Sequence, residues 1–285
     1  MTAGIIDTHV HVWDLGKAAY PWLDGDTSIL NQTWSIDQIA EQRKEAGVEQ
    51  GILVQASGNF EDTNWMLGVA EQTDWITGVV GWLPLLEPGT TQVLLENIYG
   101  TESYYKGVRH QVHDEQDTSW LLQEEVLESL AILSEHNIPF DVVAVLPAHL
   151  EAAITVAEKI PALRMMLDHL SQPPIASGEQ FGRWGELMKI AAQHPNFYAK
   201  ISGLGTASGN FTNRTADDIK PYVAFALEHF GAARCCCGGD WPVSMLADSY
   251  VNTWLMYKKI LGGLLSEARQ EEVLRATAKS FYGLD

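Results

Sequence analysis

The sequence predicts one (β/α)8 (TIM) barrel that extends over residues 1–285 as a single domain. Short apolar segments alternate with longer amphipathic segments from end to end, which is typical of a parallel sheet covered by helices. Eight such pairs can be counted, and 285 residues is a usual length for one closed barrel. Eight units in this length favour the barrel over an open, doubly wound sheet.

The eight strand candidates are nearly continuous runs of apolar residues, as expected for parallel strands that are buried on both faces. They lie at Gly4–His9, Gly51–Gln55, Thr77–Leu83, Tyr105–Val112, Pro139–Val145, Leu163–Asp168, Asn196–Ser202 and Arg234–Gly239.

Amphipathic helical patterns occupy the segments between the strands and the C-terminal end of the chain. The first begins with Ser35-x-x-Gln38, the pattern of a capping box, and stops at Gly47. Ser266 is the predicted cap of the last one. The patterns cover Ser35–Ala46, Thr63–Thr73, Thr91–Tyr99, Ser119–His136, Ala148–Lys159, Phe181–His194, Ala216–Phe230, Ser249–Leu261 and Glu267–Lys279.

Three long irregular segments, Asp14–Thr33, Leu170–Gln180 and Gly203–Thr215, each follow a strand. In a barrel, the loops after the strands lie on the C-terminal face, where active sites are built. We therefore expect the functional site on that face.

The composition argues against several classes of partner. The formal net charge is −19, so phosphate backbones and anionic lipids would repel the chain. No apolar run approaches the roughly 18 residues of a membrane span, and the N-terminal residues lack a signal-peptide pattern. Cys235–Cys237 are consecutive, which suits neither a disulfide nor a zinc motif, so we expect reduced cysteines and a cytoplasmic protein. Monomer and homodimer remain alternatives.

The most informative short segment is Ile5–Trp13, which delivers His9 and His11 from the end of the first strand. Residues i and i+2 of a strand point to the same face, so the two imidazoles project together. Such a pair is typical of a divalent-metal site or an acid–base site. The alternative is a pair of core or surface histidines.

Other polar residues also cluster at the C-terminal ends of strands, where a random distribution would place some at the opposite ends. His169 could meet the two histidines across the barrel mouth, or be an ordinary loop residue. Asp240 follows two glycines, which allow close approach of backbone and ligand. Its carboxylate could bind a metal ion or accept a proton from water, with an N-cap or a Lys200 partner as the alternatives.

Two cations and a further histidine belong to the same group. Arg109 presents a planar fork that suits a carboxylate or a polarised carbonyl oxygen, with a structural ion pair as the alternative. Lys200 lies in an apolar strand, so it should either contact a ligand at the barrel mouth or pair with a carboxylate. Of His110 and His113, we expect His110 to face the site.

Trp13, Trp82 and Trp241 also lie at strand ends. They could line an apolar pocket wall or stack on a sugar ring, although packing in the core is the better explanation for any single one of them. We expect them to contribute to substrate binding as a group.

In combination, these motifs resemble the amidohydrolase superfamily, and the similarity is closest to the amidohydrolase 2 branch of small lactonases. Within that branch the chain resembles hydrolases of L-fuconolactone, L-rhamnonolactone and related aldonolactones. It is also similar to hydrolases of carboxylated lactones such as pyrone dicarboxylate. The motifs are His9-x-His11, Lys106–His110, Asp168-His169-Leu170, Tyr198–Leu204 and Gly239-Asp240-Trp241-Pro242.

The resemblance implies hydrolysis of a cyclic ester, with Asp240 as the general base that activates water. His169 and Arg109 would complete the catalytic group, and His110 and Lys200 would hold or polarise the lactone. It also implies either one divalent ion, such as Zn²⁺, or a metal-free site. The ligands of the ion would be His9, His11, His169 and Asp240.

The fifth strand departs from the pattern of the superfamily. The run Phe140–Leu146 contains no histidine, although metal-dependent members usually carry one there. The departure argues against a two-metal site and leaves one ion or none as alternatives.

Three other functions compete with a sugar lactonase. A hydrolase of carboxylated lactones would need several cations in its pocket, and few lie at strand ends here. A metal-dependent decarboxylase of aromatic acids would resemble relatives with a glutamate in the first-strand motif, which is missing beside His9 and His11. A binding module without activity would have lost some of the polar strand-end residues, and all are present.

Overall fold

The predicted strands are present and pair in parallel in chain order, which confirms the (β/α)8 barrel. The computed structural model describes residues 4–209 and 215–285. The strands are β1 (Ile5–Val10), β2 (Val48–Val54), β3 (Ile76–Gly81), β4 (Tyr105–His110), β5 (Phe140–Val142), β6 (Met165–Leu167), β7 (Phe197–Ile201) and β8 (Cys235–Cys237).

Hydrogen bonds between the ends of β1 and β8 join the two edges of the sheet. The amide of His11 donates to the carbonyl oxygen of Trp241 at 2.7 Å, and the amide of Asp240 donates to the carbonyl oxygen of His9 at 2.7 Å. The Thr8 hydroxyl donates to the carbonyl oxygen of Cys237 at 2.9 Å. This seam brings the two histidines next to Asp240, although more than 200 residues separate them in the chain.

The helices lie outside the barrel, as predicted, with shifted ends. Ser35 and Gln38 form the predicted capping box, and Gly47 ends the helix in the left-handed conformation. The helices are α1 (Ala40–Ala46), α2 (Phe60–Glu71), α3 (Pro88–Asn97), α4 (Glu124–Glu135), α5 (Pro147–Lys159), α6 (Gly182–Gln193), α7 (Leu204–Ala207), α8 (Ala216–Phe230), α9 (Tyr250–Gly262), α10 (Glu267–Glu271) and α11 (Thr277–Tyr282).

Some predicted strands are longer than the observed ones, because an apolar run can continue into a buried loop. Val143 and Ala144 follow β5 and are buried outside any strand. The fourth strand ends at His110 because Val112–Asp114 forms a 3-10 turn. This turn decides which side chains of the segment face the barrel mouth.

The core has an outer layer between helices and sheet and an inner layer inside the barrel. Phe281, Tyr282 and Leu284, at the C-terminal end of the chain, pack into the inner layer. Cys236 belongs to the inner layer, whereas Cys235 and Cys237 belong to the outer one, as alternation along a strand requires. All three cysteines are buried and free, as expected from the sequence.

Within the two described ranges, no helix is both long enough and apolar enough to span a membrane. Of the irregular segment predicted at Gly203–Thr215, residues 204–207 form α7, and residues 210–214 lie outside the described part of the chain.

Candidate active site

Side chains from the β1–β8 seam meet at the C-terminal end of the barrel. The rings of His9 and His11 are 4.7 Å apart and nearly perpendicular. The Asp240 Oδ1 atom lies 3.7 Å from Nε2 of His9 and 3.5 Å from Nε2 of His11. All three residues are buried, so this small polar group has little access to bulk water.

The hydrogen bond on the far side of the His11 ring fixes its tautomer. Nδ1 lies 2.7 Å from the carbonyl oxygen of Val54, which can only accept, so Nδ1 carries the proton. In the neutral ring, Nε2 is therefore an acceptor, and it faces the Asp240 carboxylate, a second acceptor. Two acceptors 3.5 Å apart are well placed to share a cation or a water molecule that donates to both.

His9 has the opposite arrangement. The Lys200 ammonium lies 3.3 Å from Nδ1 of His9 and can only donate, so Nδ1 accepts and Nε2 carries the proton. Burial and the nearby Lys200 charge lower the pKa of His9 well below its usual value, so the ring is neutral at pH 7. His9 therefore presents an N–H group toward Asp240, where His11 presents a lone pair.

A buried ion cluster lies beneath these histidines. Lys200 forms ion pairs with Asp141 at 2.6 Å and Asp168 at 2.8 Å, and all three side chains are fully buried. Arg109 pairs with Asp168 at 3.1 Å through Nε and donates from Nη1 to the carbonyl oxygen of Gln55 at 2.7 Å. Two cations thus balance two carboxylates, which is the condition under which such charges can be buried.

The pKa values follow from this pairing. Burial would lower the pKa of Lys200, but the charges of Asp141 and Asp168 raise it above its usual value, so Lys200 stays charged. Burial would raise the pKa of Asp168, but Lys200 and Arg109 lower it below its usual value. Of the two alternatives predicted for Lys200, the structure shows the pairing with carboxylates, beneath the site.

Asp7 connects the two sides of the seam, because it accepts hydrogen bonds from His9 in β1 and from Gly239, which follows β8. Its Oδ1 accepts hydrogen bonds from the amides of His9 at 2.9 Å and Gly239 at 2.8 Å, and its Oδ2 accepts one from the Tyr250 hydroxyl at 2.6 Å. A Cβ atom at position 239 would lie 2.5 Å from Asp7 Oδ2, so only glycine fits there. The glycine before Asp240 thus allows close approach of protein atoms rather than of a ligand. Burial raises the pKa of Asp7 to about 6.

His169 is held by an unusual turn. Residues 169–172 are four consecutive non-glycine residues with φ between 50° and 53°, the left-handed region that costs roughly 1 kcal/mol or more per residue. Trp184 stabilises the turn by donating from Nε1 to the carbonyl oxygen of Leu170 at 2.7 Å. The turn places His169 Nδ1 2.9 Å from the Ser202 hydroxyl and its ring 4.6 Å from that of His9.

The seam residues open into a pocket of about 220 Å³, called the reaction pocket below. Five of the predicted residues line it, namely His11, Trp13, Arg109, His169 and Asp240. The described residues that complete its wall are Trp22, Ala56, Gln111, His113, Asp114, Val143, Val145, Gln172, Thr206 and Val243.

Trp22 and His113 are the notable additions to the predicted set. Trp22 comes from the irregular segment Asp14–Thr33, and its Nε1 donates to the carbonyl oxygen of Ala56 at 2.8 Å. His113 lies within the 3-10 turn Val112–Asp114 after β4, and burial lowers its pKa to about 4. The sequence signal for Trp22 was only its place in a segment after a strand, whereas His113 had been the alternative to His110 at the end of the fourth strand.

Five of the predicted residues do not line the reaction pocket, and one of them is the fully buried His9. His110, which was expected to face the site in preference to His113, lines a neighbouring depression together with Trp82. The strand ends at His110 and the chain then turns at Val112–Asp114, so His113 rather than His110 faces the reaction pocket. Trp241 is fully buried and packs edge-on against Trp34 at 5.3 Å. Lys200 lies in the ion cluster below.

Three of the four proposed metal ligands converge. Potential ligand atoms of His9, His11 and Asp240 lie within 4.8 Å of one another. His169 belongs to a second, overlapping group with His9 and Asp168. The lone pair of His11 Nε2 and the Asp240 carboxylate fit a divalent ion, and the buried His9 Nε2 has no hydrogen-bond partner among the described residues. At His9, the Lys200 contact works against the ion, because metal at Nε2 would require the proton at Nδ1.

Comparison with known proteins places this geometry in a family. The model of the family described as Amidohydrolase matches residues 6–284, almost the entire chain. The chain belongs to the amidohydrolase family. As its relatives indicate, this amidohydrolase is a hydrolase that acts on ester bonds.

Two relatives carry a specific name. An L-fucono-1,5-lactonase of Burkholderia ambifaria is 30% identical over 284 residues, which are 98% of this amidohydrolase and 96% of that protein. An L-fucono-1,5-lactonase of Burkholderia multivorans is 28% identical and covers 98% of this chain and 96% of its own. A crystal structure of an amidohydrolase from Burkholderia multivorans with bound zinc has a TM-score of 0.90 at 27% identity, covering 99% of this chain and 100% of its own.

Proposed function

We propose that this amidohydrolase hydrolyses a neutral sugar lactone, such as L-fuconolactone or L-rhamnonolactone, with Asp240 as the general base. The observation that carries the proposal is that Asp240 Oδ1 lies 3.5 Å from His11 Nε2, the nitrogen that presents a lone pair. Both residues line a pocket that Arg109 lines too. The two lactonases that resemble the chain over nearly its whole length support the same substrate class.

The chemistry requires one activated water and one stabilised oxyanion. A water that donates to His11 Nε2 and to Asp240 would have a lone pair directed into the pocket. Asp240 takes up a proton as the water oxygen bonds to the lactone carbonyl carbon. The ring C–O bond then breaks, and the leaving alkoxide takes up the proton that Asp240 had accepted, which gives the open hydroxy acid and returns Asp240 to its carboxylate form.

Arg109 is the group that stabilises the oxyanion. Its Nε and Nη1 atoms are held by Asp168 and Gln55, which fixes the plane of the guanidinium before substrate binds. A preorganised cation in a buried site stabilises a developing oxyanion far more than one exposed to water. His169, neutral because burial lowers its pKa, is placed to hydrogen-bond the ring oxygen or a sugar hydroxyl.

The charges of the reaction pocket favour a neutral substrate. Arg109 is the only lysine or arginine among the described residues that line it, and Asp114 and Asp240 line it too. A lactone carrying carboxylates would face more negative than positive groups, whereas sugar hydroxyls can donate to the carboxylates.

A divalent ion would be held by His11 and Asp240, with His9 as a third ligand, and would supply a more acidic water and a Lewis acid. A related crystal structure contains bound zinc, which supports the presence of an ion in this amidohydrolase. Because Lys200 contacts His9 Nδ1, we propose that the ion is weakly held and that Asp240 works without it. The buried, free cysteines and the dispersed acidic surface agree with the cytoplasm as its compartment.

The test is a panel of neutral aldono-1,4- and 1,5-lactones and of carboxylated lactones, followed with a pH indicator before and after chelation. We expect turnover of a neutral lactone that survives chelation. Loss of turnover on chelation and its return with Zn²⁺ would instead make His9, His11 and Asp240 obligatory ligands. Absence of turnover on every lactone would contradict the proposed function.

A further inference from the structure

The depression next to the reaction pocket is a cavity of about 350 Å³, called the side pocket below. We propose that the side pocket binds a second, neutral sugar ring, so that the enzyme accepts lactones that carry a glycosyl substituent. This inference rests on the proposed function and extends its substrate class.

The two pockets share a wall. Gln111 and Asp114 line both of them, so the two pockets are direct neighbours, and a substituent on a lactone in the reaction pocket has only these two side chains to pass to reach the side pocket. Gln55 also lines the side pocket and connects it to two residues of the reaction pocket, Gln111 and Arg109. Its Nε2 donates to Gln111 Oε1 at 3.1 Å, and its carbonyl oxygen accepts from Arg109.

The size of the two pockets supports two rings. The reaction pocket, at about 220 Å³, is smaller than the roughly 300 Å³ at which ligand pockets usually begin, as suits one compact ring. The side pocket, at about 350 Å³, falls within the usual range and has room for a ligand group of its own.

Aromatic rings form one wall of the side pocket. His110 stacks on Trp120 with the ring centres 4.0 Å apart and the planes 9° from parallel, and Trp82 also lines the cavity. Glu115 holds His110 in place through a hydrogen bond of 2.7 Å to Nε2. Flat, rigid rings of this kind pack well against the C–H faces of a sugar and lose little conformational freedom on binding.

The polar groups of the side pocket select a neutral polyol. Glu87, Asp114 and Glu115 line it, and no lysine or arginine occurs among the described residues of its wall. Burial lowers the pKa of His110, so this ring adds no positive charge at pH 7. Carboxylates and amide oxygens accept hydrogen bonds from hydroxyl groups, whereas an anionic ligand would be repelled.

The test compares the best monosaccharide lactone of the panel with derivatives of it that carry a glucosyl group on one hydroxyl. We expect at least one derivative to have a kcat/KM equal to or above that of the parent lactone. Trp120→Leu should lower the kcat/KM of that derivative by about tenfold, the size of one aromatic contact, and leave that of the parent within about twofold.

Two further variants make the result specific. Glu115→Gln keeps the size of a partly exposed side chain and should lower the same kcat/KM without endangering the fold. Trp75→Leu is the matched control, because Trp75 is 9% exposed, against 4% for Trp120, and lies outside both pockets. Trp75→Leu should change the kcat/KM of the parent lactone and that of the glucosyl derivative by the same factor.

The failures can be told apart. If the parent lactone is hydrolysed but every glucosyl derivative is poorer and the pocket variants affect parent and derivative alike, the side pocket does not bind a second ring. If neither the parent nor any derivative is hydrolysed, the proposed function itself is overturned.

Discussion

Gly203 shows how one residue permits the geometry of the site. It has a φ of 60°, and a Cβ atom there would lie 2.5 Å from His169 Nδ1 and 2.8 Å from Asp240 Oδ2. Both distances are shorter than real Cβ contacts allow. Glycine is required at this position because the two functional side chains approach the backbone from opposite neighbours in the barrel.

We therefore expect Gly203→Ala to lower kcat/KM strongly, by about a hundredfold or more, because displacement of reacting groups by about 1 Å has effects of this size. The matched control is Gly283→Ala, where φ is 62° and no atom lies within 4 Å of the added Cβ. Both variants carry a similar left-handed strain, so the melting temperature should fall in both and activity only in Gly203→Ala. Equal activity in the two variants would contradict the close approach.

The left-handed turn at residues 169–172 marks the limit of sequence reasoning at this scale. The position of His169 at a strand end was predictable from the apolar run before it. The turn itself was not, because no glycine or asparagine in the run 169–172 indicates positive φ angles. Tertiary contacts such as that of Trp184 with Leu170 hold the backbone there.

At the scale of secondary-structure elements, the β1–β8 seam contains the carboxyl group of Asp7, whose pKa is raised by burial. Asp7 has a pKa of about 6 in the folded chain, against 3.8 in an unfolded one. The protonated form is therefore favoured by folding, and the stability that Asp7 contributes is complete below pH 3.8 and is lost as the pH rises through 6. The shift corresponds to about 3 kcal/mol.

Asp7→Asn tests this linkage, because asparagine does not titrate. With a chelator present, the stability of the wild type relative to Asp7→Asn should fall by about 2 kcal/mol between pH 4 and pH 7, measured by urea unfolding, because the first part of the loss occurs below pH 4. Tyr250→Phe is the companion variant. Loss of the hydroxyl that donates to Asp7 should raise the pKa of Asp7 further and extend the fall to higher pH. A difference that does not depend on pH would contradict the account.

The eight strands were predictable from the sequence. The contacts made by the side chains at and near their ends were predictable only in part. Local apolar runs indicated all eight strands, and the barrel topology then brought His9, His11, His169 and Asp240 to one end. The pairing of Lys200 with Asp141 was not specified, because Asp141 lies in the fifth strand, from which only the missing histidine had been noted. The choice of His113 over His110 required the position of the turn after β4.

At the scale of the whole molecule, the net charge of −19 repels anionic substrates as they approach. The reaction pocket adds little positive charge, so a carboxylated lactone is repelled during encounter and a neutral one is not. Salt screens such long-range repulsion, with a screening length of about 10 Å at 0.1 M.

We therefore expect kcat/KM for a neutral lactone to be independent of ionic strength, and kcat/KM for a carboxylated lactone to rise with added salt. Initial rates over a series of potassium chloride concentrations, at substrate concentrations well below KM, give both values. A carboxylated lactone that is preferred at low salt and loses its advantage as salt is added would show that the pocket attracts anions, contrary to the account.

The most direct measurement is kcat/KM of the preferred neutral lactone for the wild type and Asp240→Asn. Asparagine tolerates the φ of 54° at this position and preserves the shape of the side chain, so the variant should fold with an unchanged circular dichroism spectrum. The account predicts a loss of about 10²–10⁴-fold, the usual contribution of a general base. A folded Asp240→Asn variant with undiminished kcat/KM would contradict the assignment of Asp240 as the base.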